Sequence, residues 1–575
     1  MTDIHQIRAA QLRSGKSVRL DGVAKQALEV GRNRLILAGC LITLAFAAVA
    51  GRVVELSALR DHNEPTVPTA AADAALQTGR ADIVDRNGLL VATSLRTPSL
   101  YADPSEVLDA GRAARRLTTV LTDLAVPEVE AKLRANRRFV WLKRSLTPHE
   151  QYRVNALGIP GLHFMDEWKR IYPQSSLVAH VVGYTDIDDR GIAGVERAFD
   201  DVLRDGREPL TLSIDLRIQH IVRQELARQI GLFEAIGGTA IVLDVNTGET
   251  VAMVSLPDFD PNLAGDMSDD QRFNRATLGV YEMGSTFKIF NTAMALDAGT
   301  VTLNDGYDAT KPIRVSRFTI NDFHGEHRWL SVPEIFKYSS NIGSVKMAMD
   351  VGTEGQKAFM GRLGMLQPMS LELPERGYPL VPSPWRPINT MTISFGHGMS
   401  VSPMHLASGV ATVINGGIKR PATLLKTTGR VVGEEVLKPA TSLAMRKLMR
   451  LVVLDGTGRN ADAVGYMVGG KTGTAEKAGG GRGYARKSLL SSFVAAFPVH
   501  DPKYVVLVMV DEPKGQKFSH GYATGGWVAA PAVKRIVERA APLLGVAPVN
   551  MNAPEIRRDL LVDLPDTGGK RLASF

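Results

Sequence analysis

Cysteine is nearly absent: a single residue, Cys40, in a chain of 575. That excludes an internal disulfide framework and any cysteine-built zinc site, and leaves nothing to mispair in an oxidising compartment. Long apolar stretches are scarce as well, and a mean hydropathy of −0.03 excludes a polytopic membrane protein. No internal repeat occurs. Charge of one sign is concentrated only at the start. The chain has 68 basic and 60 acidic residues, +8 with neutral histidine. Half of that excess lies in residues 1–34, where seven basic residues (Arg8, Arg13, Lys16, Arg19, Lys25, Arg32, Arg34) meet three acids (Asp3, Asp21, Glu29), 7 − 3 = +4. No basic face is clustered in the remainder, which excludes a nucleic-acid partner. What is present, 44% apolar and 22% charged residues, is ordinary globular composition and excludes global disorder, collagen-like and coiled-coil classes. The length corresponds to roughly three to four domains.

One apolar run stands out, Leu35 to Gly51, with no charge inside it. A membrane-crossing helix needs about 20 such residues and at least about 17. Val53 and Val54 extend the run if Arg52 snorkels to the interface. The basic residues before it predict an N-terminus in the cytoplasm and everything after residue 55 outside. Residues 1–34 therefore read as a basic cytoplasmic tail and 35–54 as a single membrane anchor. Two alternatives stay open. Ala48-Val49-Ala50 resembles a signal-peptidase site, and Leu37-Ala38-Gly39-Cys40 resembles a lipoprotein box, although most of the apolar run follows Cys40.

Residues 55–78, rich in Pro, Ala and Thr, read as a linker. Residues 79–233 read as a mixed domain opening with a hairpin, Ala81–Asp85 and Leu89–Ala92 around Asn87-Gly88. Helical stretches are expected near 104–122 and 215–233. From 234 to 545 the texture changes. Two β-rich runs, Thr239–Val245 and Thr250–Ser255, flank Asn246-Thr247-Gly248, and a second pair, Ser492–Phe497 and Tyr504–Val510, flanks His500–Lys503. Another strand is expected between Tyr466 and Ala475, and a closing helix over Trp527–Leu544. Strands at both ends of this region with helical sequence between them predict an antiparallel sheet packed with helices, an α+β fold. Residues 546–575 read as a polar tail.

The chemistry lies in three short motifs. Gly284-Ser285-Thr286-Phe287-Lys288 opens a helix, so Lys288 stands one turn from Ser285. A serine hydroxyl attacks only when a neighbouring base takes its proton, and lysine serves as that base only with a depressed pKa. Alone, the pair reads first as a helix-capping serine with a solvated lysine. Ser339-Ser340-Asn341 follows 54 residues on (339 − 285), after the helical turn Pro333–Tyr338. Lys471-Thr472-Gly473-Thr474 follows 132 residues later (471 − 339), on the predicted strand. There glycine permits close backbone approach by a ligand, Thr472 and Thr474 supply hydroxyls, and Lys471 offers a cation for an anionic substrate end. Order and setting together match the set that defines penicillin-binding proteins and serine β-lactamases.

With that set in place, the chain resembles a class B penicillin-binding protein of the division-specific kind. Arg80, Asp85-Arg86-Asn87-Gly88, Arg170-Ile171-Tyr172-Pro173, His180, Gly183, Gly191 and Gly194-Val195-Glu196 resemble the family's non-catalytic pedestal, with Ala81 where glycine is common. Asn274-Arg275-Ala276 and Tyr281-Glu282-Met283-Gly284 lead into Ser285, with Met283 where proline is common. Arg86, Arg170 and Glu196 read as salt-bridged scaffold.

The resemblance implies a peptidoglycan D,D-transpeptidase of septal wall synthesis and a β-lactam target, needing no cofactor or metal. Ser285 would be the nucleophile and Lys288 its base, with Ser339 and Asn341 completing the catalytic group. Lys471, Thr472, Gly473 and Thr474 would bind the substrate carboxylate, and backbone N–H groups of Ser285 and Thr474 would form the oxyanion hole. Implied partners are the stem pentapeptide on lipid-linked precursor strands, β-lactam antibiotics, an FtsW-type glycosyltransferase and other division membrane proteins. The implied location is the bacterial inner membrane at the septum, with the catalytic domain periplasmic.

Rival functions are an elongation-specific transpeptidase or D,D-carboxypeptidase of the same fold, a β-lactamase deacylating through Glu372 or Glu375, a β-lactam sensor and a non-catalytic division scaffold. A sensor would need a cytoplasmic domain that 34 residues cannot fold into. His324-Gly325-Glu326-His327 reads as a polar loop rather than a metal site, and no chemistry requires His397.

Overall fold

The computed structural model describes residues 36–50, 79–206, 208–315, 318–478, 484–554, 556, 560 and 562. The chain divides into two compact units, Met1–Gln77 and Thr78–Phe575. In the first, residues 36–50 form a helix whose side chains, Leu37, Leu41, Leu44 and Phe46 among them, are exposed all round. Among the described residues no helix is long and apolar enough to cross a membrane. The predicted tail 1–34, the linker 55–78 and both ends of the predicted anchor 35–54 lie outside the described residues.

The second unit opens with a five-stranded sheet ordered β3-β2-β1-β5, with β4 also on β2. Its strands are β1 (Ile83–Val84), β2 (Leu90–Ala102), β3 (Val140–Lys143), β4 (Leu162–Ile171) and β5 (Leu210–Thr211). The predicted hairpin forms, with Ile83 opposite Ala92. Asp85 Oδ1 accepts from the N–H groups of Asn87 and Leu89 at 2.8 and 2.9 Å, and Gly88 takes φ +84. Such a left-handed turn position favours glycine. Leu100 and Ala102 on β2 pack against Ala114 and Leu117 of α1 (Ala110–Thr118) and Val129 of α2 (Val126–Leu133).

Within this domain lies a buried ionic knot. Glu196 accepts from Arg80 Nε at 2.5 Å and Arg170 Nε at 2.7 Å, and Arg80 also pairs with Asp200 at 2.7 Å. Arg86 reaches Glu249 at 2.9 Å, tying the pedestal turn to the catalytic sheet. All three residues expected to be scaffold are thus ion-paired.

The catalytic part is built on a second five-stranded sheet, every neighbour antiparallel. Its strands are β6 (Gly237–Asp244), β7 (Thr250–Leu256), β8 (Gly469–Ala478), β9 (Tyr484–Phe497) and β10 (Tyr504–Asp511), ordered β8-β9-β10-β6-β7. Both predicted hairpins and the strand between them are present, and segments more than two hundred residues apart meet at the β10–β6 pair. Side chains alternate along a strand, and here both faces are buried. Val506 and Val508 pack with Ile218 and Val222 of α3 (Leu216–Leu232) and Val533 and Ile536 of α8 (Ala530–Ala540). On the opposite face, Leu507 and Met509 pack with Phe290 of α4 (Lys288–Ala298) and Val410 of α7 (Pro403–Ile414).

Two boundaries drawn from the sequence move. Helix α3, counted with the pedestal as part of 79–233, packs its apolar face on the catalytic sheet. The reason is a shared core that crosses a break in texture along the chain. Residues 546–575 read as a tail, yet Val546 and Leu560 are buried and the Val549 N–H donates to Gly465 O at 2.8 Å. Scattered apolar residues in polar sequence join the two cores of the catalytic part, which no local pattern announces.

Candidate active site

Ser285 is half-buried in a 3-10 turn, Gly284–Phe287, that runs directly into α4. In such a turn positions i and i+3 eclipse, which brings Lys288 Nζ to 3.3 Å from Ser285 Oγ. Backbone packing holds the turn from two sides. Gly284 has φ +55, its N–H donates to Gly396 O at 3.1 Å, and a Cβ there would lie 2.7 Å from Thr474 O. A Cβ on Gly396, φ +85, would meet Gly284 O at 2.0 Å. Both glycines are dictated by close approach as much as by φ.

Ser339 ends α5 (Val332–Tyr338), which the Ser331–Glu334 capping box begins, and Ser340 caps α6 (Asn341–Arg362). Squeezed between two helices, Ser339 takes φ +59 and ψ +41. That left-handed geometry costs a non-glycine residue about 1–2 kcal/mol. It turns both oxygens of Ser339 towards Lys288, whose Nζ lies 2.5 Å from the carbonyl O and 3.1 Å from Oγ. Asn341 Oδ1 accepts from the same amine at 2.7 Å. From β8, Lys471 Nζ approaches Ser339 Oγ at 3.0 Å. The Ser339 hydroxyl therefore bridges two lysines.

Counting protons narrows the state of this centre. Ser339 O and Asn341 Oδ1 can only accept. A neutral amine gives them its two hydrogens and keeps a lone pair for a serine hydroxyl. The environment favours that form. Lys288 is buried, and burial lowers its pKa far below the ordinary lysine value; the Lys471 charge adds to this and the Asp322 carboxylate opposes it. Burial likewise lowers Lys471, to about 7. The solvated-lysine alternative is therefore overturned.

Along β8 the side chains part company. Lys471 faces Ser339, whereas the Thr472 hydroxyl meets Thr457 Oγ1 at 2.8 Å and Thr474 Oγ1 accepts from Gly525 N at 3.2 Å. A Cβ on Gly473 would lie 2.4 Å from Ser492 Oγ and 2.9 Å from Met283 O. The close approach expected there from a ligand is made in the structure by Ser492 of β9 and by the nucleophile turn.

Of the eight predicted residues, Ser285, Lys288, Ser339, Asn341 and Lys471 form one connected network. Thr472 and Thr474 line the other side of the strand, with Gly473 as the backbone contact. Sequence reasoning missed Asp322, Thr457 and Gly396. Only Gly396 carried a signal, the run Phe395-Gly396-His397-Gly398. His397 lies nearby, its pKa lowered chiefly by burial against the opposing charge of Glu282. Glu372 accepts from the Thr423 hydroxyl and from Leu424 N at 2.9 Å, and Glu375 from Gly194 N at 3.3 Å. Both carboxylates are engaged in holding loops. Among the described residues no group of three His, Cys, Asp or Glu side chains is disposed to hold a metal.

Residues 238–538 match the penicillin binding protein transpeptidase domain, and residues 75–211 the penicillin-binding protein dimerisation domain. The chain belongs to the class B penicillin-binding proteins. Among relatives it is 41% identical over 485 residues to the "Probable peptidoglycan D,D-transpeptidase FtsI" of Caulobacter vibrioides, covering 82% of each chain. It is 31% identical over 576 residues to the peptidoglycan D,D-transpeptidase FtsI of Escherichia coli, covering 93% of this chain and 96% of that one. In fold it is similar to penicillin binding protein 3 of Mycobacterium tuberculosis, solved with aztreonam. There the TM-score is 0.66 at 22% identity, over 85% of this chain and 99% of that one.

Proposed function

We propose that this chain is a peptidoglycan D,D-transpeptidase that cross-links stem peptides through an acyl-enzyme on Ser285 during septal wall synthesis, and that β-lactams acylate the same serine. One observation carries the reading: a buried lysine amine 3.3 Å from the Ser285 hydroxyl, with Ser339 Oγ between that amine and a second lysine.

Neutral Lys288 takes the Ser285 proton as Oγ attacks the penultimate D-Ala carbonyl. Backbone N–H groups of Ser285 and Thr474 stabilise the oxyanion. The C–N bond breaks, and Ser339, oriented by Lys471 while Asn341 holds Lys288, relays the proton to the departing D-Ala amine. The Thr472 and Thr474 hydroxyls hold the terminal carboxylate, with Thr457 orienting Thr472, while the charge of Lys471 favours it from across the strand. The amine of a second peptide then attacks the acyl-enzyme, returns its proton through the same relay and frees Ser285.

Likeness to the two FtsI proteins supports the division role. On that basis an FtsW-type glycosyltransferase and other division membrane proteins are the partners. The apolar residues 36–50 support an inner-membrane anchor, and the basic residues before them an N-terminus in the cytoplasm with the catalytic domain periplasmic. The working division of the chain is a tail to 34, an anchor to 54, a linker to 78, then pedestal and transpeptidase domains meeting near α3.

The test is fluorescent-penicillin labelling of the full-length, detergent-solubilised chain with peptide mapping, for wild type and Ser285→Ala. A slowly released adduct on the Ser285 peptide, lost in the variant, is expected. No adduct on folded protein would sink the acyl-enzyme reading and promote a scaffold role. Rapid drug turnover would put β-lactamase first.

A further inference from the structure

We infer that Asp322, outside all three motifs, is a positioning residue for acylation: its carboxylate locks the Ser339-Ser340-Asn341 loop against Lys288. The inference rests on the transpeptidase reading and deepens it.

The geometry is that of a carboxylate shared by one short loop. Asp322 Oδ2 accepts from Ser340 Oγ at 2.7 Å, and Oδ1 accepts from the N–H groups of Asn341 and Ile342 at 2.5 and 2.9 Å. The Ser340 hydroxyl in turn accepts from Gly343 N at 3.0 Å, so its cap on α6 is completed through Asp322. The neighbouring carbonyl, Asn321 O, accepts from Asn341 Nδ2 at 2.9 Å. That bond fixes which end of the Asn341 amide faces the catalytic centre, leaving Oδ1 to meet Lys288 Nζ at 2.7 Å. A strained backbone persists only where its surroundings over-determine it. For Ser339 at φ +59, the Asp322 contacts supply that constraint on its C-terminal side.

Asp322 also acts through its charge. The titratable groups facing Lys288 are Lys471 from β8, His397 from the glycine-rich loop and Asp322 itself. Lys471 disfavours protonation of Lys288, and Asp322 favours it. Position and charge therefore make separable predictions, since an asparagine keeps an acceptor oxygen for Asn341 and Ile342 but removes the charge.

The experiment follows the rate of fluorescent-penicillin acylation against pH for the full-length wild type, Asp322→Asn and Asp322→Ala, with melting temperature measured alongside. Misplacing a reacting group by about 1 Å costs about 10²-fold in rate, and a loss of that order is expected for Asp322→Ala at neutral pH. Asp322→Asn should lose less. The acid limb of its profile should move to lower pH, because without the carboxylate Lys288 releases its proton more readily. Rates that fall only with the folded fraction, together with an unmoved or alkaline-shifted limb in Asp322→Asn, would overturn the inference. If the alanine variant does not fold, the asparagine profile decides alone. Wild type unlabelled at Ser285 would overturn the transpeptidase reading and this inference with it. A labelled wild type with unaltered Asp322 variants would remove this inference only.

Discussion

The molecule buries two clusters of basic side chains and treats them in opposite ways. In the pedestal, Arg80 and Arg170 converge on Glu196, with Asp200 beside them. Burial disfavours the Arg80 charge, but the two carboxylates outweigh it and its pKa is raised. In the catalytic cleft, Lys288 and Lys471 converge on a serine hydroxyl, a carbonyl and an amide, none of them anionic. Burial there wins, and both lysines are driven down. A guanidinium stays charged in either setting and needs its carboxylates to be buried at all, whereas a buried lysine amine with no anion in contact becomes a base. One cluster holds the pedestal together; the other holds a proton acceptor beside Ser285.

The widest break of this contrast is expected at the nucleophile. Ser285→Ala should abolish penicillin labelling while leaving the melting curve near wild type, since it removes a half-buried hydroxyl and no packing. Lys288→Ala should slow acylation by about 10²–10⁴-fold, the usual worth of a general base, again without unfolding the chain. In the pedestal the readouts exchange places. Glu196→Gln leaves buried Arg170 without its carboxylate and Arg80 with Asp200 alone, and removing one partner of a buried pair costs about 3–5 kcal/mol. Chemical denaturation should show that loss, with labelling per folded molecule unchanged. An acylation defect in folded Glu196→Gln would mean that the pedestal is coupled to catalysis.

Lys471 sharpens the comparison through pH. Its folded pKa is about 7, below the ordinary lysine value of 10.5. Between those limits the unfolded chain binds more protons, so wild-type stability should rise with pH across that window. Lys471→Met should be the more stable protein at pH 7, and the gap in melting temperature should close as pH climbs towards 10. A gap that widens would reverse the sign and mean that Lys471 is charged in the folded protein. The smallest effect belongs to Arg86→Ala. Its pair with Glu249 is partly open to solvent, and such pairs are worth about 0.2–1 kcal/mol.

Much of the fold was legible because it is periodic. The Asn87-Gly88 turn, the two catalytic hairpins, α4 and the strand carrying Lys471 all announce themselves within windows of ten or so residues. Helix α3 was legible as a helix but not as a neighbour. Its Ile218, Val222 and Leu226 face strands that include Val506 and Val508, nearly three hundred residues away. Asp322 had no signal, because an aspartate in a polar loop looks the same whether or not a helix end lies against it.

What the sequence determined by itself is the chemical inventory and its order: a serine and lysine at the start of a helix, a serine and asparagine after another, and a lysine on a strand, behind a pedestal and an apolar N-terminal run. Those features follow from residue type and local spacing. The tertiary structure decided which groups share a proton. It set Ser339 in a left-handed bend between two helices and brought Lys471 to it across 132 residues. It excluded water from both lysines, supplied Asp322 and Thr457, and turned Gly473 and Gly396 towards the nucleophile turn. A pKa depends on burial and on charges a few ångströms away. Neither quantity exists until distant segments pack.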